Sequence, residues 1–303
     1  MPNCQDNILR NYPLTASNIY DNLYVVLLLI NFMSYTIKQF NQDFPSDDVC
    51  LNYIFKQKYG EDFICPKCHK QGFYKVSHRK CYACAWCGHQ IYPLSGTIFH
   101  KSSTKLTNWF YALFLFSASK NGVSAKELER HLGVTYKCAW RMAKQIRILM
   151  SQNKDILEGI IEADETYIGG KATSENRFDN KASVLGVVER KGRAKVRRVE
   201  NIDSHTVTKY LKQNIDSQSH LMTDESPVYD KTPYQRESVK HRVKEFVRGN
   251  VHTNSIEGLW SLIKRSIDGT YHCVSERHLQ HYLDEFVFHY NHRKSKQSIF
   301  SLL

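Results

Sequence analysis

The chain has 303 residues, a formal charge of +12 at neutral pH and a 42% share of hydrophobic residues. That length allows two or three domains with cores of their own, and the apolar share excludes general disorder. A pI near 9.2 points to a polyanionic partner, with nucleic acid the default because each neutralised phosphate releases counterions.

The most apolar stretch, Leu23 to Met33, contains Asn31 and falls short of the roughly 20 apolar residues needed to span a bilayer. It also lacks the basic n-region and small-residue cleavage site of a secretory signal. Residues 1–32 fit poorly with the polar, structured sequence after them, so Met33 is read as the true start and the preceding segment as a translated upstream region.

Residues 33–100 are expected to hold a helix and a cysteine-rich module. Phe44 to Tyr59 reads as a short amphipathic helix entered at Pro45, with Val49, Ile54 and Phe55 near one face. The nine cysteines argue against a disulfide framework, being odd in number, and for a reducing compartment with a metal site. Cys65-Pro-Lys-Cys68 and Cys84-Ala-Trp-Cys87 are separated by fifteen residues, at the short edge of the range for a zinc site of this type. Each C-x2-C pair on a tight turn presents two thiolates to one ion, and two such knuckles complete a tetrahedron. Four protein ligands leave no open position, so the Zn²⁺ expected here is structural.

Residues 101–150 are expected to be helical and to bind DNA. Residues 104–120 are apolar, aromatic and of helical length, and read as a buried helix capped by Thr104 or Thr107. In VSAKELERHLGVTYKCAWRMAKQIRILM the apolar positions are Val123, Leu128, Leu132, Val134, Ala139, Trp140 and Ile146. Gly133 sits at the turn between two short helices, and Thr135 can cap the second. This is the pattern of a helix-turn-helix whose second helix carries Tyr136, Lys137, Arg141 and Lys144 toward DNA. An ordinary helical hairpin with a solvated basic face reads the same way.

Beyond a linker near residues 151–157 the texture changes. Ile160–Ile168, Ser183–Glu189 and Lys195–Ile202 read as strands, the last two joined by a hairpin at ERKGR. The basic stretch Arg190–Arg198 is either a DNA contact or a solvated turn. Next come a helix at His205–Asn214, a strand at His220–Thr223, a basic irregular region at 228–249 and helices at Ser255–Ile267 and Ser275–Tyr290. Over residues 158–295 this order predicts an α/β fold, a mixed sheet flanked by helices.

Three carboxylates stand out in that region. Asp164 and Asp224 end strand-like runs, and Glu257 begins a helix-like run with Lys264 seven residues on. Acids from two strands and a helix can hold a pair of divalent ions that stabilise the attacking and leaving oxygens of a phosphodiester displacement. Each also has a plainer reading: Asp164 as a strand-end surface acid, Asp224 as the start of a turn before Pro227, and Glu257 as the partner of Asn254 in a capping-box-like arrangement. Ile256, Leu259, Ile263 and Ile267 mark the buried face of this helix, and Glu257, Trp260, Ser261 and Lys264 fall together on an adjacent one. Lys264 and Arg265 are phosphate contacts or a solvated charge pair.

FPSDDVCLNYIF, the CPKC…CAWC ribbon followed by LSGTIFH, EADETYIGGK, and HTNSIEGLWSLIKRSIDGTYHCVS…LDEFVFHYNHR together resemble the DDE-type insertion-sequence transposases of the zinc-ribbon group, bacterial relatives of the eukaryotic Merlin elements. The resemblance runs from about Met33 to near the C-terminus. It implies a ribonuclease-H-like catalytic core, with one acid on the first strand, one at the end of the fourth and one on a late helix. It makes Asp164 and Asp224 the first two ligands of Mg²⁺ or Mn²⁺. The third is Glu257 or Asn254, with Glu257 favoured by its offset to Lys264 and because a carboxylate is the better hard-cation ligand. The implied chemistry is cleavage at the element ends by activated water, then attack of the freed 3′-hydroxyl on target DNA. Lys264 and Arg265 then contact phosphates, and the ribbon and helix-turn-helix recognise the terminal inverted repeats. Pairing two element ends implies a homodimer or larger assembly, and the expected location is the cytoplasm, on the nucleoid. A non-catalytic DNA-binding regulator of transposase descent and a stand-alone nuclease on the same fold share these features.

Overall fold

The computed structural model describes residues 35–151, 155–169, 181–239, 247–248, 251–295 and 300. The expectations for residues 1–32 and for a start at Met33 lie outside the described residues, as does part of the basic region at 228–249. Contacts divide the chain into two units, residues 1–114 with 296–303 and residues 115–295, and each is described by itself.

In the first unit, helix α1 (Ile37–Asp43) opens with a capping box between Thr36 and Gln39. Helix α2 (Asp47–Tyr59) is capped by Ser46, whose hydroxyl accepts the Val49 N–H. Val49 does not pack inward as its sequence context suggests. It is 39% exposed, and the helix buries Cys50, Leu51, Ile54 and Phe55 instead. One helical residue turns the side chain by about 100°, which places Val49 off that stripe.

Strands β1 (Phe73–Lys75), β2 (Tyr82–Cys84) and β3 (Gln90–Ile91) form a small antiparallel sheet in that order. Helix α3 (Leu106–Ala118) comes next. Its cap is not local: Asp47, from α2, accepts both the N–H and the hydroxyl of Thr107 at 2.9 Å. Burial works to raise the Asp47 carboxyl, but the hydrogen bonds from Thr107 and Leu106 outweigh it and hold the group below its usual range.

In the second unit, α4 (Ala125–Leu132) is capped by Ser124 and ends at Gly133, whose φ of +62° is a left-handed conformation that favours glycine. Thr135 then caps α5 (Tyr136–Leu149). Both turn residues act as the sequence predicts. Leu128, Ala139, Met142, Ala143 and Ile146 are buried, whereas Trp140 is half-buried.

The main sheet consists of β4 (Ile160–Gly169), β5 (Lys181–Glu189), β6 (Ala194–Val199), β7 (His220–Thr223) and β8 (Gln235–Ser238), in the order β6-β5-β4-β7-β8. The pairs β4–β5 and β5–β6 are antiparallel; β4–β7 and β7–β8 are parallel. Counted from β4 the order is 3-2-1-4-5. Helix α6 (Ser204–Asn214), capped by Asp203, connects β6 to β7. A short hairpin of β9 (Val247–Arg248) and β10 (Val251–His252) precedes α7 (Asn254–Ser266), a single π-helical turn and α8 (Glu276–His292). Sequence reading finds every strand of this sheet except β8. Its four residues, QRES, are all polar, so an edge strand leaves no period-2 apolar signal.

Alternate strand residues feed two cores. Val184, Val188 and Val196 pack with Ile256, Leu259, Ile263, Leu283 and Phe286 of α7 and α8 on one face. Ile161, Ala163, Leu185 and Val187 pack with Val207, Tyr210 and Leu211 of α6 on the other. The expected α/β architecture, a mixed sheet flanked by helices, is what this unit adopts.

Helices α5 and α8 are joined by a buried ion pair. Arg147 donates through Nε to Glu285 at 2.7 Å, and through Nη2 to the Val123 carbonyl at 3.1 Å and the Tyr271 hydroxyl at 3.3 Å. Gly122 is needed beside it: a Cβ there would lie 1.9 Å from the Tyr271 hydroxyl. Arg147→Met leaves Glu285, whose side chain is 0% exposed, without its cation. Urea unfolding is expected to show a loss of about 3–5 kcal/mol, most of it recovered in the double variant Arg147→Met/Glu285→Leu.

Candidate metal centres

The first centre is built on two knuckles. The Sγ atoms of Cys65, Cys68, Cys84 and Cys87 all lie within 4.8 Å of one another, with Cys65–Cys87 at 3.6 Å and Cys68–Cys84 at 3.5 Å. Ligands about 2.3 Å from a central zinc stand roughly 3.8 Å apart along a tetrahedron's edges, so the donor set fits that ion. Both knuckles close alike. The His69 N–H donates to the Cys65 carbonyl at 2.9 Å, and the Gly88 N–H to the Cys84 carbonyl at 3.0 Å. His69 and Gly88 occupy the same left-handed conformation, with φ of +56° and +69°.

The second centre lies on the main sheet. Glu162 pairs in register with Met222 of the parallel strand β7, so Asp224, just past that strand, comes level with Asp164. Burial first, then Glu165 and Asp224, push the Asp164 carboxyl up to about 7; a hydrogen bond from Trp260 opposes the rise. That bond, from the indole Nε1 to Oδ2, is 2.9 Å long. The indole reaches the strand because Gly186 faces it: a Cβ on Gly186 would stand 2.5 Å from Trp260 Cη2. Asp164 and Gly186 are register partners on β4 and β5.

Glu165, on the opposite face of β4, accepts the Tyr229 hydroxyl at 2.6 Å. Asp224 takes the Ser226 N–H on Oδ1 at 3.0 Å. Arg236 of β8 clamps the loop that holds it, donating to Thr223 Oγ1 at 2.8 Å, the Asp224 carbonyl at 3.0 Å and the Ser226 carbonyl at 3.3 Å.

Helix α7 does not form the expected capping box. Thr253 occupies the cap position without a side-chain cap bond, and Asn254 is the first helical residue. Glu162 of β4 supplies the cap instead, accepting the N–H groups of Ser255 at 2.7 Å and Ile256 at 3.2 Å. Its carboxylate is 0% exposed and is also paired with Arg190 at 2.8 Å. A fully buried acid from the sheet thus outcompetes the local side chain for the helix N-terminus.

Glu257 is exposed, and its Oε1 accepts the Thr253 hydroxyl at 2.8 Å. Ser261 and Lys264 share its exposed stripe, but Trp260, expected beside them, is buried with the core. Asn254 and Arg265 are exposed, and Arg265 bonds the Ser261 carbonyl at 3.2 Å. Asp164 and Asp224 are therefore brought together, whereas Glu257 is not gathered with them. Among the described residues the four cysteines are the one set of three or more such donors with all ligand atoms within 4.8 Å. Half-buried oxygen donors carrying excess negative charge suit a hard divalent ion.

On α5, Tyr136, Lys137 and Arg141 are exposed, and Lys144 is half-buried with its nitrogen 5.6 Å from the Trp140 ring centre. The basic hairpin differs from expectation. Arg190, Arg193 and Arg198 are paired with Glu162, Asp155 and Glu276, so part of its charge is neutralised within the unit.

Sequence reading does not single out Glu162, Glu165, Trp260 or Arg236 as site residues. Two signals point toward them. Glu162 and Asp164 lie two apart on one strand and so share a face. An isolated glycine in the run VLGVV marks a close approach, here that of Trp260.

Residues 156–291 match the ISXO2-like transposase domain, and residues 45–90 match the transposase zinc-ribbon domain. Together the two matches span more than half of the chain. The chain carries the transposase domain and the zinc-ribbon domain of insertion-sequence transposases. It is 24% identical over 270 residues to an uncharacterized protein in transposable element ISH50 of Halobacterium salinarum, covering 80% of this chain and 90% of that one. A chain in the cryo-EM structure of a simian T-cell lymphotropic virus intasome, in complex with PP2A regulatory subunit B56 gamma, aligns with 14% identity and a TM-score of 0.29. That alignment covers 58% of the transposase chain and 65% of the other, and a score so low carries no argument.

Two outcomes are expected of these centres. Purified transposase should carry about one zinc per chain by atomic absorption, and Cys84→Ser should lose it together with the fold of residues 45–90. In metal-free protein the raised pKa of Asp164 means that the folded state holds its proton more tightly than the unfolded chain. Stability from this residue therefore falls as pH rises from about 4, the unperturbed value, through about 7. Asp164→Asn should melt higher than wild type at pH 8, the gap closing toward pH 4. Mn²⁺ should raise the melting temperature of wild type and leave that of the variant unchanged.

Proposed function

We propose that this transposase binds the terminal inverted repeats of its insertion sequence and catalyses metal-dependent DNA cleavage and strand transfer. The observation that carries the reading is the parallel pairing of β4 with β7, which sets Asp164 and Asp224 level in the middle of the sheet. The helix bearing Glu257 is tied to the same strand through Glu162.

In this reading Asp164 and Asp224 are the first two ligands of Mg²⁺ or Mn²⁺, and Glu257 is the third. Bound divalent ions supply charge neutralisation at the scissile phosphate and activation of water. Glu257, whose Oε1 accepts the Thr253 hydroxyl, would complete the set of acids that holds the ion. Asn254, also exposed at the start of α7, is the alternative third ligand. Trp260 holds one Asp164 oxygen and fixes the direction of the other. Lys264 lies two turns beyond Glu257 on the same stripe, about 10 Å along the helix, and contacts a phosphate, as does Arg265.

In this reading residues 33–100 are an N-terminal helix plus zinc ribbon, 101–150 the helical DNA-binding region and 158–295 the catalytic domain. Tyr136, Lys137, Arg141 and Lys144 of α5 face DNA, phosphate contacts positioning the duplex and base contacts specifying it. A homodimer or larger assembly pairs the two element ends. Among the described residues no helix is long and apolar enough to cross a membrane.

The test is incubation with DNA carrying the element ends, a target plasmid and Mg²⁺, beside an Asp164→Ala variant. Joined products that vanish in the variant are expected. Cleavage without joining would instead indicate a nuclease, and specific binding alone a regulator. Glu257→Gln should abolish joining and Asn254→Ala only weaken it; the opposite ranking would reassign the third ligand.

A further inference from the structure

Helices α5 and α8 border a shallow, open hollow, with cavity space of about 10 Å³, lined by Trp140, Lys144 and Arg147 from one and His278, His281 and Tyr282 from the other. Its chemistry is one-sided. Arg147 forms the floor, stacked 4.1 Å from the Tyr282 ring centre, and is already spent on Glu285. Lys144, His278 and His281 make no salt bridge among the described residues. The Trp140 ring stands edge-on to His278 at 5.2 Å, so the wall offers a flat aromatic surface beside the cations.

The groups facing the histidines reinforce one another. His278 is held below its ordinary pKa by burial, Lys144 and Arg277, and His281 by burial, Lys144, His278 and Arg147. Beyond burial, the neighbouring cations Lys144, Arg277 and Arg147 add to this lowering, and their clustered positive charge is what an anion would relieve.

The hollow's position selects the anion. Lys137 and Lys144 are seven residues apart on α5, about 10 Å along the axis. The major groove is about 12 Å wide, so a helix whose first turn meets bases brings its later turns to the groove's edge, where phosphates run.

Resting on the reading of α5 as a DNA-contacting helix, we propose that Trp140, Lys144, His278 and His281 form a clamp for a DNA backbone phosphate, shared between α5 and α8. The consequence is positional. Helix α8 packs in one core with α7 and the main sheet, and the Arg147–Glu285 pair fixes α5 to α8. A phosphate held in the clamp therefore sets the register of the duplex relative to Asp164 and Asp224. The histidines also make the grip tighten as pH falls, because a bound phosphate favours their charged forms.

The test compares full-length wild type with Lys144→Ala, His278→Gln/His281→Gln and Lys137→Ala/Arg141→Ala, by fluorescence anisotropy with a duplex bearing the element end. Lys144→Ala should weaken binding about 5- to 10-fold on specific and unrelated duplexes alike, and lower the salt slope by about 1. Wild-type affinity should rise as pH falls from 7.5 to 5, because both histidines start below the unperturbed value of about 6.5 and a bound phosphate favours their charged forms, while the double histidine variant stays flat. Circular dichroism checks that each variant is folded. The clamp is overturned if Lys144→Ala and the histidine variant bind with wild-type affinity, salt slope and pH response while Lys137→Ala/Arg141→Ala loses binding. If wild type binds no duplex at all, the DNA-binding reading of α5 falls, and the clamp with it.

Discussion

A single buried carboxylate, that of Glu162, ties the helix carrying Glu257 to the strand carrying Asp164. It is 0% exposed and accepts two backbone N–H groups from the first turn of α7 as well as the guanidinium of Arg190. A buried charge is tolerated only with partners of this kind, and removing any one of them would leave the rest poorly compensated. The cap therefore works in both directions. It fixes where α7 begins, and it fixes how the Glu162–Asp164 face of β4 is presented. Trp260, one face of α7 further on, enters the slot left by Gly186 and completes the attachment by bonding Asp164 directly.

Around that anchor the other acids are oriented by neighbours with no chemistry of their own. Arg236 clamps the loop after β7, and Glu165 reaches from the far face of β4 to Tyr229 in the same loop. Asp164 and Asp224 are thereby held close, and burial first, then the charges of Glu165 and Asp224, push the Asp164 carboxyl up. Excess negative charge at a fixed place suits a hard cation. The zinc ribbon is the converse case: four thiol ligands close on one point with no position left open.

Much of this is legible in the sequence, and the limits have physical causes. The knuckles are readable because ligand spacing is local. So are Gly133 and Thr135, because turn and cap chemistry is local too. β4, β5, β6 and β7 carry strong apolar runs, whereas the polar edge strand β8 carries none and escapes notice. The expected caps of α3 and α7 fail for one shared reason: in each, a carboxylate distant in sequence, Asp47 or Glu162, supplies what a nearby Thr or Asn was expected to supply. The sequence does not reveal the partners of Arg190, Arg193 and Arg198 in the basic hairpin for the same reason, since those acids come from other elements. Asp164 and Asp224 are legible as a pair through the family resemblance, which implies one acid on the first strand and one at the end of the fourth. Helical periodicity puts Trp260 on the wrong face because its partner, Gly186, lies on another strand.

The central claim is that Asp164 and Asp224 jointly hold a divalent ion at the middle of the sheet. Anomalous scattering from crystals of the transposase grown with Mn²⁺ tests it most directly. The account predicts a manganese peak bridging the two carboxylates, with Glu257 turned away from Thr253 toward it. Manganese bound elsewhere, with both aspartates free of metal, would contradict it.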